Sequence, residues 1–488
     1  MRKTFLQNII FLVLINLIIK PFWILGIDRT VQNTVGHEAY GKYQAIFNIT
    51  IIFQIILDFG LQQYNSRVVS RSPEAMRGLF PNILMAKVFF ALIYIAVTIA
   101  MGSIWGYQSQ GFLLLMLLVG MQIALSFLLF FRSNISGLQW FKTDSVFSIL
   151  DRMIAIPVMT VLLFTYFFKD NFKIEWYAGV QLLAYSLSAV IALIVCSRLQ
   201  KIYWHHLNLK KILIVVKQSL PFAILVFLMS FYTRIDTVLL EKISSDTEIA
   251  GKYAAAFRLL DVANNMSGVL IAGLLLPLFA KMIKAKEDFG TIAELSAKIL
   301  MAFSIFLAVL STIWGQEILQ LLYKNMDVGD SDILMWLMWC FPFYSFNYIY
   351  ATLLTANGNI KVLIYISILG LFVNLVLNLS MLDANNSLNA VITAHNAFVT
   401  LIIVSIGNFW ASKKLLNVYL TPKVFARLLF FFILLFAFAW AFKKYFNNVE
   451  LLPTLVLVAL AALSFFLVTG LIQLQEIKQH YRKLIKRN

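Results

Sequence analysis

Residues 38–47 have the sequence EAYGKYQAIF, and residues 248–257 repeat the pattern as EIAGKYAAAF. The Glu, Gly-Lys-Tyr, second Ala and Phe positions coincide when the copies are aligned. A weaker echo joins residues 137–142 (GLQWFK) to residues 356–361 (ANGNIK). Internal repeats at such separations are typical of membrane transporters that are built from duplicated halves. The sequence therefore predicts two structural repeats.

Apolar runs surround both copies. Of the 488 residues, 61% are hydrophobic and 13% are charged, and the mean hydropathy is +0.83. A soluble chain of this length needs far more polar surface. The runs are about 20 residues long, as a membrane-spanning helix requires, and they lack the alternation of barrel strands. We predict an all-α polytopic membrane protein with fourteen spans, near residues 5–27, 41–64, 81–103, 111–131, 144–168, 176–196, 218–240, 250–280, 296–322, 333–355, 360–382, 388–411, 424–442 and 452–473.

The duplicated stretches open the second and the eighth predicted spans. An even number of crossings separates them, so the two six-helix repeats are expected to be parallel and related by an axis along the membrane normal. The predicted organisation is an N-terminal lobe over residues 1–198, a basic cytoplasmic linker over 199–217, a C-terminal lobe over 218–412, and two further helices with a basic tail over 413–488.

Lysine and arginine determine the expected orientation. With the N-terminus in the cytoplasm, 26 of these residues lie in or near cytoplasmic loops and 7 in outer loops. The net charge of +17 is then mostly a topology signal, and nucleic acid is not expected as a partner. Both termini are predicted to be cytoplasmic.

One group of charges lies about two turns inside the cytoplasmic face of the first repeat. It consists of Asp58, Lys87, Asp151 and Arg152. Charged groups at membrane depth are costly and often mark functional sites. Two interpretations remain open: ion pairs that close the cytoplasmic side without touching a ligand, or a gate whose pairs break when the protein opens inward.

A second group lies in the outer half of both repeats and contains six cations and three carboxylates. Its members are Lys20, Asp28, Arg29, Lys42, Arg234, Asp236, Lys252, Arg258 and Asp261. An excess of cations in a shared cavity suits an anionic ligand, and the forked guanidinium of arginine suits a phosphate.

Roles can be assigned within this second group. Our candidate substrate-binding residues are Lys20, Arg29, Arg234 and Arg258. For Lys20 an alternative is that its long side chain snorkels to the membrane interface and does not line the cavity. Asp236 and Arg258 lie at similar depth and are expected to pair. The aspartates at 58, 236 and 261, together with His395, are candidates for binding a coupling ion, H⁺ or Na⁺.

Motifs for catalysis or cofactor binding are missing from the sequence. It contains no Walker loop, Rossmann glycine pattern, HExxH or nucleophile elbow. Cys196 and Cys340 lie in separate apolar runs and are interpreted as small core residues. We therefore expect the protein to have no cofactor, no metal site and no enzymatic activity. The outer loops, roughly 8 to 14 residues long, leave little room for a membrane glycosyltransferase.

Residues 36–43 (GHEAYGKY) and 58–61 (DFGL) resemble the opening of polysaccharide-type flippases in the multidrug/oligosaccharidyl-lipid/polysaccharide exporter superfamily. In the second half, residues 234–236 (RID), 356–361 (ANGNIK) and 373–378 (VNLVLN) agree with the same family. The resemblance covers about spans one to twelve. It implies a V-shaped pair of six-helix lobes around a central cationic cavity, with alternating access.

The resemblance also implies a function. The family moves a polyprenyl-diphosphate-linked oligosaccharide, such as an O-antigen (lipopolysaccharide), capsule or exopolysaccharide repeat unit, across the bacterial inner membrane. Membrane lipid and other glycan-assembly proteins are the implied partners. Alternatives are a flippase for a lipid-linked peptidoglycan precursor, a multidrug or cation antiporter, and a membrane glycosyltransferase. The glycan and the coupling ion stay open at this point.

Overall fold

The computed structural model describes residues 19, 21–62, 65, 69, 74, 76–107, 111–138, 140–165, 171–199, 209–284, 286–446 and 450–471. These residues are almost entirely helical and include no strand. Ten of their helices are long and apolar enough to cross a membrane. They coincide with the predicted spans 3 to 7, 9 and 11 to 14. The all-α polytopic class is thus confirmed.

The described helices are as follows, in chain order. A π-helical turn, Phe22–Asp28, leads into α1 (Arg29–Ile52), which continues as a 3-10 turn, Phe53–Leu57. The remaining α-helices are α2 (Met76–Ile104), α3 (Phe112–Gly137), α4 (Phe141–Phe147), α5 (Leu150–Phe164), α6 (Ile174–Leu199), α7 (Leu209–Ile243), α8 (Ile249–Lys284), α9 (Gly290–Leu322), α10 (Ser331–Ala356), α11 (Ile360–Met381), α12 (Asn389–Leu416), α13 (Pro422–Tyr445) and α14 (Leu451–Val468).

Helix α1 contains a sharp break. Gly36 has φ 84° and ψ 168°, and the residues on both sides of it are helical. Glycine adopts positive φ without steric cost, so this one residue redirects the chain. The loop expected between residues 27 and 41 is therefore helical except at Gly36, and α1 combines that loop with the first half of the second predicted span.

The described chain divides into two compact units. The first comprises residues between Met1 and Ala255 together with Asn378–Ala390, and the second comprises Ala256–Leu377 with Val391–Asn488. In the first unit α3 packs along α6, and α1 packs along α7. In the second unit α9 packs against α10 and α13.

The two copies of the duplicated stretch meet inside the first unit. A Cβ atom placed on Gly41 would lie 2.6 Å from the main-chain N of Gly251, and one placed on Gly251 would lie 2.0 Å from the carbonyl O of His37. The side-chain Nε2 of Gln32 donates to the Gly251 carbonyl O at 3.0 Å. Helix α1 and the first turn of α8 therefore touch backbone to backbone, which only glycine permits.

We expect Gly251→Ala to destabilise the protein by about 1–3 kcal/mol, the usual cost of overpacking. Alanine has a higher helix propensity than glycine, so any loss of stability must come from the contact with His37. The measurement is the thermal unfolding midpoint of the purified protein in detergent. Gly179→Ala in α6 is the control, because nothing lies within 4 Å of its added Cβ. Equal midpoints for the two variants would contradict the close crossing.

Candidate functional site

Asp28 is the centre of a buried polar cluster in the first unit. It ends the π-helical turn, and it is 2% exposed. Its Oδ2 accepts a hydrogen bond from the Tyr40 hydroxyl at 2.8 Å, and its Oδ1 accepts one from the Tyr177 hydroxyl at 2.5 Å. Tyr40 belongs to α1 and Tyr177 to α6, so the carboxylate joins three segments. π-helical turns are frequent at functional sites.

Aromatic rings surround the carboxylate. The ring of Tyr43 lies 5.3 Å from that of Tyr177 and 5.7 Å from that of Tyr40, measured between centroids. Gln181 donates through Nε2 to the Tyr43 hydroxyl at 3.1 Å. All four side chains are buried. The cluster therefore combines a carboxylate, an amide and three phenols in the interior.

Arg152 adds a cation to this cluster. Its Nε lies 3.2 Å from Oδ2 of Asp151, and its Nη2 donates to the Tyr185 hydroxyl at 3.0 Å. The guanidinium also lies 4.3 Å from the ring centroid of Trp23, which stacks on Tyr177 at 5.9 Å. Arg152 is thus connected through Trp23 to the residues that bind Asp28.

The position of Asp151 and Arg152 differs from the sequence-based expectation. The predicted fifth span is broken at Ser148 and Ile149 into α4 and α5, so Asp151 begins a new helix. Tyr185, the partner of Arg152, lies about 16 Å along α6 at the usual helical rise. The pair is therefore near mid-helix. Its described contacts do not reach Asp58 or Lys87, so the four charges form two separate pairs.

Lys87 and Asp58 form the second pair, at a helix end. The Lys87 ammonium donates to the Leu57 carbonyl O at 2.9 Å and to Asp58 Oδ1 at 3.2 Å, and the side chain is 1% exposed. Leu57 closes the 3-10 turn, after which Phe59 (φ 44°) and Gly60 (φ 77°) adopt left-handed backbone. A carbonyl at a helix end inside the membrane requires a donor. This geometry favours the interpretation that Lys87 stabilises the fold.

We expect Lys87→Met to destabilise the protein by about 3–5 kcal/mol, because it leaves the Asp58 carboxylate without its buried partner. The double variant Lys87→Met/Asp58→Asn should lose less stability than the sum of the losses in Lys87→Met and Asp58→Asn alone. Unfolding midpoints in detergent measure both effects. Lys242→Met is the control, since Lys242 pairs with Glu241 at a site where 34% of the lysine side chain is exposed. Equal losses for the two lysines would contradict this role.

The second copy of the duplicated stretch also lies beside a buried aspartate. Asp236 on α7 is 3% exposed. Its Oδ2 accepts from the Tyr253 hydroxyl at 3.3 Å, and its Oδ1 accepts from the Asn378 amide at 3.0 Å. Tyr253 occupies the position that Tyr43 has in the first copy. In both repeats, therefore, a buried aspartate that precedes the repeated sequence accepts from a tyrosine of that sequence, although the two tyrosines, Tyr40 and Tyr253, are not at equivalent positions.

The candidate cations lie in or near the two copies of the duplicated stretch. Arg29, Lys42, Arg234 and Lys252 are half-buried, and Arg258 Nη1 lies 3.7 Å from Asp261 Oδ2 one turn further along α8. Lys20 falls outside the described residues. The Asp236–Arg258 pair and the role of these cations in ligand binding stay predictions.

The remaining candidates have ordinary packing. Cys196 and Cys340 are buried and are not joined in a disulfide, as expected of core residues. The His395 ring packs edge-on against Trp336, with centroids 4.8 Å apart. Among the described residues, no group of three or more His, Cys, Asp or Glu side chains is placed to hold a metal ion.

Residues 5–283 match the family described as polysaccharide biosynthesis protein. The chain belongs to that family. Residues 221–379 also match the MatE family. No curated protein matches the sequence. The family match includes the first repeat, the Asp28 cluster and the region of α7 that carries Arg234.

Solved structures of the same superfamily share the fold of this polysaccharide biosynthesis family member. Lipid II flippase MurJ in an inward closed conformation has a TM-score of 0.67 and 15% identity, with 95% of this chain and 97% of that chain covered. An inward-facing multidrug resistance MATE family transporter has a TM-score of 0.63 and 12% identity, covering 81% and 94%. The Vibrio cholerae MATE transporter VcmN, in its bent form, has a TM-score of 0.55 and 14% identity, with 84% of this chain and 97% of that chain covered. The expected superfamily is confirmed.

Proposed function

We propose that this protein is a flippase that moves a polyprenyl-diphosphate-linked oligosaccharide across the bacterial inner membrane by alternating access. The observation that carries the proposal is membership of the polysaccharide biosynthesis protein family over residues 5–283. Family and fold support a transporter or flippase and give no support to a catalytic role. The glycan is an O-antigen, capsule or exopolysaccharide repeat unit.

The chemistry of the substrate fits the charges of the membrane segments. A diphosphate needs several charge-assisted hydrogen bonds, and arginine offers bidentate donors to each phosphate. Arg234 and Arg29 are half-buried on helices of the first unit. In the proposed complex they bind the diphosphate together with Lys20, and Arg258 is a further candidate on α8. The sugars then lie beyond the diphosphate in the aqueous path.

We expect Arg234→Ala to reduce surface glycan by about tenfold or more, the effect of losing one charge-assisted hydrogen bond to the substrate. Surface glycan is measured in a strain whose only copy of the gene encodes the variant, with the variant and the wild type expressed at the same level. Arg198→Ala is the control, because Arg198 is exposed at the end of α6. Unchanged glycan in Arg234→Ala would remove this residue from the mechanism.

Three further assays distinguish the alternative functions. Rescue of cells depleted of their lipid II flippase would favour a peptidoglycan precursor. Drug resistance on overexpression, without any change in glycan, would favour a multidrug antiporter. New glycosidic bonds made by the reconstituted protein would favour a glycosyltransferase.

We propose Asp28 as the residue that binds the coupling ion, H⁺ or Na⁺. Asp58, Asp151 and Asp261 each lie beside a cation, and we propose gating or structural roles for these pairs. At Asp28 the tyrosine hydroxyls donate to both carboxylate oxygens. Protonation or ion binding there competes directly with those hydrogen bonds and so changes how the π-helical turn is held. Asp236 is the second candidate.

We expect Asp28→Asn to reduce export by about tenfold or more while it keeps one acceptor for the tyrosines. Surface glycan and its dependence on external pH are the readouts, and the unfolding midpoint checks that the protein is folded. Asp144→Asn is the control, because Asp144 pairs with Arg132 at 2.8 Å near the start of α4. Export at the wild-type rate and with the wild-type pH profile would contradict the assignment.

A further inference from the structure

A small cavity lies in the second unit, and none of the residues assigned above lines it. Its volume is about 120 Å³. It is formed where α9 and α13 approach their ends and α14 begins. Its lining consists of Trp314, Glu317, Phe442, Lys443, Phe446, Leu451 and Thr454.

The cavity is built around a break in α9. Trp314 has φ −118° and ψ 20°, outside the helical range, in the last third of α9. Lys443, from the end of α13, donates to the carbonyl O of Ile313 and lies 2.6 Å from Oε1 of Glu317. The position of the ammonium is therefore fixed by the main chain and by a carboxylate. A lysine carries three N–H donors, so a third remains for an anionic oxygen.

Glu317 has an unused acceptor. Although 39% of its side chain is exposed, its Oε2 atom is covered, and no donor in the described part of the chain reaches it. A covered carboxylate oxygen without a donor is unfavourable. The cavity thus offers one acceptor at Glu317 and one donor at Lys443, on groups that already touch each other.

The other walls favour a cation. Trp314 is buried, and Phe442 and Phe446 complete an aromatic lining. Aromatic faces attract ammonium groups, most strongly where water is excluded. The cavity therefore matches a small zwitterion, whose ammonium lies at Glu317 among the rings and whose anionic group lies at Lys443.

The surrounding surface indicates a membrane interface. Trp440 and Tyr445 are exposed on the last turns of α13, and the Lys444 ammonium lies 5.1 Å and 5.8 Å from their ring centroids. Tryptophan, tyrosine and lysine in this arrangement are typical of the headgroup level of a bilayer. In the predicted orientation this end of the helices faces the outer leaflet.

We propose that the cavity binds the headgroup of a phospholipid that carries a primary ammonium, a phosphoethanolamine ester. Its ammonium donates to Glu317 Oε2 against the aromatic rings, and a phosphate oxygen accepts from Lys443. A quaternary choline has no N–H for Glu317, and a glycerol headgroup has no cation for the rings. The site is therefore selective for phosphatidylethanolamine, and it does not depend on which substrate the protein transports.

Native mass spectrometry of the purified full-length protein tests the site. The protein is titrated with phosphatidylethanolamine, phosphatidylcholine, phosphatidylglycerol and free O-phosphoethanolamine. Phosphatidylethanolamine should bind about tenfold more tightly than the other two lipids, because only it donates a charge-assisted hydrogen bond to Glu317. Glu317→Gln should remove that preference, and Lys443→Arg, which keeps the cation, should retain much of it.

Two matched variants serve as controls. Lys444→Gln removes the neighbouring lysine, and Glu450→Gln removes an exposed carboxylate just before α14. Both should bind phosphatidylethanolamine as the wild type does. A wild type without preference among the three lipids, or a Glu317→Gln variant that keeps the preference at an unchanged unfolding midpoint, would overturn the proposal. Free O-phosphoethanolamine that binds as tightly as the phospholipid would overturn the assignment to a lipid.

Discussion

Every interruption of a membrane helix exposes main-chain oxygens that hydrocarbon cannot solvate. In this protein two lysines meet that requirement in the same way. Lys87 donates to the Leu57 carbonyl and pairs with Asp58, and Lys443 donates to the Ile313 carbonyl and pairs with Glu317. In each case the lysine comes from a neighbouring helix, so the break is stabilised by tertiary structure. In both places the irregular backbone and the position of an ion pair therefore depend on each other.

Buried aspartates are satisfied differently. Tyr40 and Tyr177 donate to Asp28, and Tyr253 and Asn378 donate to Asp236. Phenols and amides satisfy lone pairs without adding charge. In each case at least two neutral donors, from different helices, hold the buried carboxylate.

Composition and periodicity were sufficient for the fold class, since long apolar helices are determined locally by the length of the hydrocarbon core. Residue partners were harder to predict. The Lys87–Asp58 pair joins residues on different helices that the sequence already groups together. The contacts of Arg152 with Tyr185 and Trp23 could not be predicted, since span 5 breaks at Ser148 and Ile149, a feature that no proline or glycine marks.

Other features depended on contacts between distant parts of the chain. The Asp28 cluster was missed as a unit, although Tyr40 and Tyr43 lie within the quoted repeat, because its partner Tyr177 comes from a helix far along the sequence. The role of Lys443 was hidden for the same reason. Lys443 was one of the seven outer-loop lysines and arginines that predicted the orientation. In the structure it donates to the carbonyl of Ile313 on α9. Tertiary contacts of this kind leave no local signal.

The crossing of Gly41 and Gly251 has a mechanical consequence. Most helix contacts interlock through side chains, and a change of angle between the helices must then unlock and repack rotamers. Here both surfaces are bare main chain, and Gly36 lies one turn away with a backbone that no side chain restricts. A change of angle between α1 and the start of α8 at this contact would therefore not require side-chain rotamers to repack.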